Sequence, residues 1–329
     1  MRAAWYEQQG PATEVLTVGE MDVPSPMAGE VLLRVAVSGV NPGEVKKRSD
    51  AFGVGMPYPR VIPHSDGAGT IDAVGAGVDP ARIGQRVWCF GAQSERPFGT
   101  AAEYVAVPST QAWPLPDGVP FEVGACLGIP GITGHRAVFV AGSVRGRVVL
   151  VQGGAGAVGQ CAVAMARRGG ATVLATVRSQ ADATQAREAG AHVVLQTGGG
   201  TAAEVAERIL AIAPDGVDHV VEVAFDANVA VDELVLKQGG TIAAYATRAS
   251  EPVLPFWPLV FKNVRIDFLG SDDFSPDAKR IAAAELTEAL ASGWTGPRVE
   301  ARYGLDDIAA AHVAVEQRSV GGRVVVLLE

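Results

Sequence analysis

No apolar run in this 329-residue chain approaches the roughly 20 residues that a membrane-spanning helix needs, so a helical membrane protein is not expected. Cysteine is scarce: Cys89, Cys126 and Cys161 lie far apart, with no C-x-x-C pair. That spacing excludes a disulfide framework and a structural zinc site, and three buried thiols are the expectation. The histidines, His64, His135, His192, His219 and His312, show no ligand spacing either, so no metal is expected. Basic charge is in deficit, with 27 Lys and Arg against 36 Asp and Glu and a net charge of −9. A broad surface for nucleic acid is therefore not expected, although a local basic pocket for one nucleotide remains compatible. The opening residues, MRAAWYEQQGP, lack the apolar stretch of a signal peptide, which leads us to expect a soluble cytoplasmic protein. There is no internal repeat and no low-complexity tract.

What the chain has in abundance is glycine, 40 residues, within a composition that is 48% hydrophobic. Its length suggests about two domains. The most informative stretch is 148–168, VVLVQGGAGAVGQCAVAMARR. A β-branched apolar run enters a glycine-rich turn, and the turn opens a small-residue helix. Gly154, Gly156 and Gly159 give the spacing G-x-G-x-x-G, with Ala155, Ala157 and Val158 between them. In a dinucleotide site those glycines allow a tight turn, close approach to the pyrophosphate, and close packing of helix on strand. The helix then aims free N–H groups and its positive dipole end at the diphosphate. The spacing alone is weak evidence; the strand before it and the helix after it provide the required context. A packing turn in an ordinary α/β domain is the plain alternative.

The texture changes along the chain. Up to about residue 120 it reads as mostly β, with candidate strands at 30–37, 70–74 and 86–90 and dense Gly and Pro punctuation, as in a compact barrel-like domain. A proline-rich passage, Pro108 to Pro120, marks a boundary. Candidate strands then fall at 148–152, 172–177, 192–196, 219–224, 240–246 and 264–270, with helical patterns at 160–168, 180–189, 202–213 and 229–237. Strands alternating with crossover helices imply a doubly wound parallel sheet. Two further helices, 276–292 and 305–317, and a strand at 323–328 make a tail too short for a domain. The tail is expected to return to the first domain. The expected division is 1–122 with 271–329, and 123–270.

The second strand of the nucleotide domain settles the expected cofactor. NAD-preferring sites place an acid at its end to hold the ribose 2′-OH. Here the sequence is Thr176-Val177-Arg178-Ser179, with no carboxylate until Asp182. Arg178 can pair bidentately with a 2′-phosphate and Ser179 can add a hydrogen bond, so NADPH is expected. A solvated arginine at a strand end is the alternative. Phe225, Asp226, Ala246, Thr247, Arg248, Leu269 and Gly270 fall at C-terminal strand ends, where open parallel sheets bind ligands, and complete the expected cofactor set. Arg248 is otherwise an ordinary surface arginine. Phe52, Tyr58, Phe256 and Trp257 are, as a set, candidate walls for a flat apolar acceptor, although any one alone reads rather as ordinary core.

Motifs spread over nearly the whole chain carry a family resemblance: Ser38–Glu44 (SGVNPGE), Pro63–Gly69 (PHSDGAG), Gly99–Tyr104 (GTAAEY), Gly128–Arg136 (GIPGITGHR), the 153–159 turn, Gly239–Gly240 and Gly321–Val326. The chain resembles the zinc-free, zeta-crystallin-like quinone oxidoreductases of the medium-chain dehydrogenase/reductase superfamily. The resemblance implies an α/β fold in which a Rossmann domain, a doubly wound parallel sheet, is inserted in a mostly-β GroES-like barrel domain. It also implies hydride transfer from NADPH to a quinone or an α,β-unsaturated carbonyl. Zinc-dependent relatives carry a cysteine where this chain has Asn41 and Gly-His-Glu where it has His64-Ser65-Asp66. Without a Lewis acid, reduction of an electron-poor acceptor is favoured over alcohol oxidation. By resemblance Asn41 and Thr133 flank the nicotinamide. An Asn-Pro turn and a helix cap are their plain alternatives.

Three departures touch the acceptor site: Lys46 in place of a common tyrosine, Gly131-Ile132 in place of an aromatic pair, and Phe225 in place of a glycine. For alkene reduction, Lys46, Tyr58 or a water is the candidate proton donor. Lys46 and Lys47 read otherwise as a solvated surface pair. An enoyl-thioester reductase and a nucleotide- or RNA-binding protein without catalysis are the competing functions. The run at 264–269 would be an edge strand, and relatives pair there, so a homodimer is expected.

Overall fold

The computed structural model describes residues 1–318 and 321–328; Ser319, Val320 and Glu329, all within the expected 271–329 range, lie outside the described residues. In chain order the first strands are β1 (Arg2–Trp5), β2 (Thr17–Glu20), β3 (Glu30–Val40), β4 (Asp66–Val74), β5 (Arg86–Cys89), β6 (Tyr104–Pro108) and β7 (Ala112–Pro114). Strands β8 (Val148–Val151), β9 (Thr172–Val177), β10 (Val193–Gln196), β11 (Val217–Glu222), β12 (Leu236–Ala244) and β13 (Arg265–Phe268) follow, then β14 (Val299–Gly304) and β15 (Arg323–Leu327). The helices are α1 (Ala12–Val15), α2 (Pro42–Arg48), α3 (Phe121–Gly124), α4 (Ile129–Phe139), α5 (Ala157–Arg168), α6 (Gln180–Glu188), α7 (Ala202–Leu210), α8 (Phe225–Val235), α9 (Phe256–Phe261), α10 (Pro276–Ala291) and α11 (Ile308–Glu316).

Two compact units result, one of Met1–Ile129 with Ala283–Glu329 and one of Pro130–Ala282. In the first, a seven-stranded sheet runs β14-β15-β3-β4-β5-β7, with β6 also paired to β3. The central strand β3 is buried at all but one position, because β4, β6 and β15 pair along it. The tail closes this sheet: Val324–Leu327 pair antiparallel with Val37–Val40 of β3. Val31, Leu33, Ile71, Val87, Val105, Val324 and Val326 form its core. Burying each such side chain is worth about 1.5–3 kcal/mol.

The second unit holds six strands in the order β10-β9-β8-β11-β12-β13, all parallel. This is the doubly wound arrangement, with its switch point between β8 and β11. Strands covered on both faces read as continuous apolar runs, as VVLV of β8 and VLATV of β9 do. Several elements differ from the sequence reading: Phe256 and Trp257, expected on a loop, lie on helix α9, and β12 begins at Leu236 rather than at 240. Helix α4 forms in a segment carrying Pro130, Gly131 and Gly134, where no helix was expected. A Cβ on Gly134 would stand 2.9 Å from Ala162 N and Cys161 Cβ of α5, so the glycine is what lets α4 pack that closely. Helix α8 begins at Phe225, four residues before the expected start, because Asn228 and Asp232 make buried polar contacts and interrupt the apolar period.

Candidate functional site

The glycine turn joins β8 to α5. Gly153 takes a left-handed φ of +68°, its N–H donates to Thr176 Oγ1 at 3.1 Å, and the Gly154 N–H donates to the Thr176 carbonyl at 2.9 Å. A Cβ on Gly159 would lie 2.2 Å from the Gly153 carbonyl oxygen, so no side chain fits where helix and turn meet. Gly156 caps α5 without a side chain and is exposed, while Ala157 and Val158 are half-buried. Ala155 is buried, and its carbonyl accepts from Gln160 Nε2 at 2.7 Å. The first-turn N–H groups therefore have no capping side chain in front of them. This arrangement suits an anion such as a diphosphate.

At the end of β9, Arg178 is exposed, and among the described residues its guanidinium has no hydrogen-bond or ion-pair partner. Ser179 caps α6: its hydroxyl accepts from the Asp182 N–H at 3.2 Å, and the Asp182 carboxylate accepts from the Ser179 N–H at 3.2 Å. The nearest carboxylate is thus engaged with backbone. Thr176 is buried; its hydroxyl holds the glycine turn and donates to Gln152 Oε1 at 2.6 Å.

Beyond β11, Phe225 is buried with its ring edge-on to Phe268, 5.4 Å between centroids, and its N–H donates to the Ala246 carbonyl. Asp226 ties this loop to the one after β12, accepting from Thr247 Oγ1 at 3.2 Å and the Arg248 N–H at 3.1 Å. These bonds hold the Asp226 carboxyl below its usual range, the Arg248 N–H foremost. Leu269 donates to the Ala244 carbonyl, and exposed Gly270 follows it.

Sequence reasoning missed a polar chain beneath these loops. Gln152 Nε2 donates to Asp232 Oδ1 at 2.9 Å, and the Asp232 carboxyl lies close enough to that of Glu222 to feel its charge. Glu222 Oε1 accepts from the Ala224 N–H and, at 3.0 Å, from Asn228 Nδ2. Both carboxyls are fully buried, and burial raises both above the usual range.

In the first unit, Asn41 caps α2 and is buried, with both ends of its amide engaged. Nδ2 donates to Asp66 Oδ2 at 2.8 Å and to Glu44 Oε1 at 3.2 Å, and Oδ1 accepts from Arg323 Nη1 at 2.8 Å. Asp66 also receives the Ile129 N–H at 2.8 and 3.0 Å, and Glu44 receives the N–H groups of Asn41 at 2.7 Å and Ser65 at 2.6 Å. Burial, then the Asp66 charge, raises the Glu44 carboxyl to about 7.

A second buried chain links His64 and His312 through Nε2 atoms 2.9 Å apart. Arg48 Nε donates to His312 Nδ1, which leaves the His312 hydrogen on Nε2, facing His64 Nε2. His64 then donates from Nδ1 to Ser38, and Ser38 to Thr100, whose hydroxyl donates to the Asp66 carbonyl. Burial is the main cause that holds both imidazoles neutral, His312 down to about 3. Nothing local signals this pair, since the two residues are 248 positions apart.

Lys46 is exposed on α2, with its ammonium 5.6 Å from the centroid of the exposed Phe52 ring. Tyr58 is half-buried against Tyr6, Val15 and Val61. Thr133 lies inside α4, not at its cap; it is buried, and among the described residues its hydroxyl has no partner. Phe256 and Trp257 are exposed on α9, 5.3 Å apart.

Among the described residues no group of three His, Cys, Asp or Glu side chains is placed to hold a metal ion. Both His64 nitrogens and the Asn41 amide are engaged, and Ser65 is an alcohol, so these residues do not make a zinc ligand set. Cys89, Cys126 and Cys161 are buried and form no disulfide.

Two family models match the chain: an alcohol dehydrogenase GroES-like domain over residues 27–117 and a zinc-binding dehydrogenase over residues 157–284. The quinone oxidoreductase of Rattus norvegicus is 33% identical over 314 residues, covering 93% of this chain and 91% of that protein. The quinone oxidoreductase of Homo sapiens is 29% identical over 328 residues, covering 98% and 96%. Among solved structures, a mycobacterial protein complexed with NADPH aligns over 100% of both chains at 30% identity with a TM-score of 0.85. An NAD-dependent alcohol dehydrogenase aligns over 100% of both chains with a TM-score of 0.88 at 24% identity, a likeness of fold.

Proposed function

The chain belongs to the quinone oxidoreductases of the medium-chain dehydrogenase/reductase superfamily, and from that membership we propose that it reduces a quinone or an activated alkene with NADPH, without zinc. The observation that carries the choice of cofactor is the unpaired Arg178 at the end of β9, beside an Asp182 turned back onto its own helix. A site for NAD needs a carboxylate free to meet the ribose, and a site for NADP needs a cation. The first-turn amides of α5, from Ala157 to Gly159, hold the diphosphate where the glycine turn lets it approach, Arg178 and Ser179 hold the 2′-phosphate, and the loops of Asp226 and Thr247–Arg248 border the rest. The cofactor supplies hydride from C4 of its nicotinamide.

The chain's own residues then orient the reactants and exclude water. The uncommitted Thr133 hydroxyl is assigned to the nicotinamide side. Asn41, bound at both ends of its amide, is assigned a positioning role within the first unit. Zinc independence is supported by the engaged donors of Asn41 and His64. For a quinone, water supplies the protons. For an enal or enone, Tyr58 or Lys46 is the proposed donor to the carbon α to the carbonyl.

The first test is NADPH oxidation by the metal-free protein with a panel of ortho- and para-quinones, enals and enones. Turnover of at least one class, with NADPH preferred to NADH and insensitivity to chelator, is expected. Absence of turnover across the panel contradicts the assignment. The chain is also proposed to pair with a second copy through β13, the edge strand of the parallel sheet.

A further inference from the structure

The polar chain from Thr176 to Glu222 has a fixed direction. The Gly153 N–H points at Thr176 Oγ1, the Thr176 O–H at Gln152 Oε1, and Gln152 Nε2 at Asp232 Oδ1. From the other end, the Ala224 N–H and Asn228 Nδ2 point at Glu222 Oε1. One oxygen of each carboxyl is therefore already an acceptor. The remaining two, Asp232 Oδ2 and Glu222 Oε2, are buried and receive no other donor. The two carboxyls lie within each other's influence, and a hydrogen bond between these two oxygens requires that one of them carry a proton.

We propose that Asp232 and Glu222, joined by one shared proton, are positioning residues for the nucleotide, locking the glycine turn to the loop that opens α8. The inference rests on the NADPH reading. It deepens that reading by naming what fixes the turn, since the Thr176 hydroxyl holds the Gly153 N–H and is held in turn by Gln152. The chain spans long sequence separations, 24 residues from Gln152 to Thr176 and 80 from Gln152 to Asp232, so it braces separate elements. Burial is the main cause that raises both carboxyls. Among the described residues neither carboxyl forms an ion pair, and Tyr245, a titratable group near Glu222, is itself kept protonated by burial. Nothing nearby therefore compensates a second negative charge, and a shared proton is the low-energy state.

The arrangement makes an unusual prediction about amide substitutions. In Asp232→Asn, the new Nδ2 donates to ionised Glu222 just as the acid did. In Glu222→Gln, the new Nε2 donates to ionised Asp232. In the double variant both remaining groups are NH2 donors and collide. Escape requires turning over Asn at 232 and Gln152 together, which takes the acceptor away from the Thr176 hydroxyl and loosens the turn. A pair that merely fills space would instead gain from losing both buried charges.

The test is titration of NADPH into wild type, both single variants and the double variant, with circular dichroism to establish that each is folded. The single variants should bind within about threefold of wild type, and the double variant roughly tenfold or more weaker, the loss expected of opposed buried donors. Infrared difference spectra at about pH 8, well above ordinary carboxyl values, should show a protonated-carboxyl carbonyl band in wild type that both single variants lack. A folded double variant that binds like the single ones overturns the proposal. So does a wild type without that band, an outcome readable even if the double variant does not fold. If wild type binds no NADPH at all, the cofactor reading fails, while the infrared result still decides whether the proton is shared.

Discussion

In the proposed reading, Arg178 and the engaged Asp182 decide the choice between two nucleotides. A charge-assisted bidentate contact is worth about 1.5–3 kcal/mol, a factor of ten or more in affinity. Arg178→Ala is therefore expected to weaken NADPH binding about tenfold and to change NADH binding less than about twofold, measured by fluorescence titration of both. Equal losses for the two nucleotides would place Arg178 away from the 2′-phosphate. At this scale the sequence was legible where the chemistry is local. The G-x-G-x-x-G spacing and the missing acid after β9 occupy a few consecutive positions, and the turn has the tight approach those glycines permit. Thr176 reads differently in the structure. Its hydroxyl, counted among the cofactor contacts from sequence, is buried and bonded to Gly153 and Gln152. The Asp232–Glu222 pair left no trace in the sequence, because a carboxylate's burial is decided by elements that meet only in three dimensions.

Helix α11 is tied to α2 and to the loop before β4 by the buried His312, Arg48 and His64. Arg48 also bonds to Glu316 of α11 and to the Gly10 carbonyl. The His312 imidazole falls from its ordinary 6.5 to about 3 in the folded chain. Between those values the unfolded chain binds a proton that the folded chain refuses, so stability is present above the unfolded value and is lost as the pH falls. Glu44, raised to about 7, acts with opposite sign: its contribution is present below its ordinary value and is lost as the pH rises through the folded one. The comparison is therefore made between two proteins. His312→Gln removes one titration and leaves the other. From neutral pH to about pH 4, the melting temperature of wild type should fall by about 3 °C or more beyond the fall of the variant. Parallel curves would refute the account. Helix α4 marks the limit of local reading among the elements: its prolines and glycines argue against a helix, and its packing on α5 overrides them.

The whole molecule is built from two units, and the parallel, doubly wound arrangement of the six strands was legible in the alternating strand and helix patterns. The return of β15 to β3 was legible because a tail of two helices and one strand cannot bury a core alone. The surface around the last parallel strand was only partly legible. Phe256, Trp257 and Phe261 of α9 and Phe268 of the edge strand β13 are between 59% and 73% exposed. Phe256 and Trp257 were candidate acceptor walls from sequence, and this placement gives them a second use. Exposed aromatics beside a free edge favour pairing with another copy. Light scattering at micromolar concentration should report twice the 33.9 kDa chain mass, and Phe268→Asp should shift it toward monomer. A wild-type monomer would remove the proposed pairing.

The central claim is that the backbone around Gly154–Gly159 grips a dinucleotide whose extra phosphate meets Arg178. Isothermal calorimetry with NADPH and NADH on the wild-type protein and on Gly159→Val tests it most directly, since a Cβ there has no room beside the Gly153 carbonyl. One nucleotide per chain, NADPH tighter than NADH by about tenfold, and loss of both in a folded Gly159→Val protein are the predicted results. Heat from neither nucleotide in the wild type, or undiminished binding in the valine variant, would contradict it.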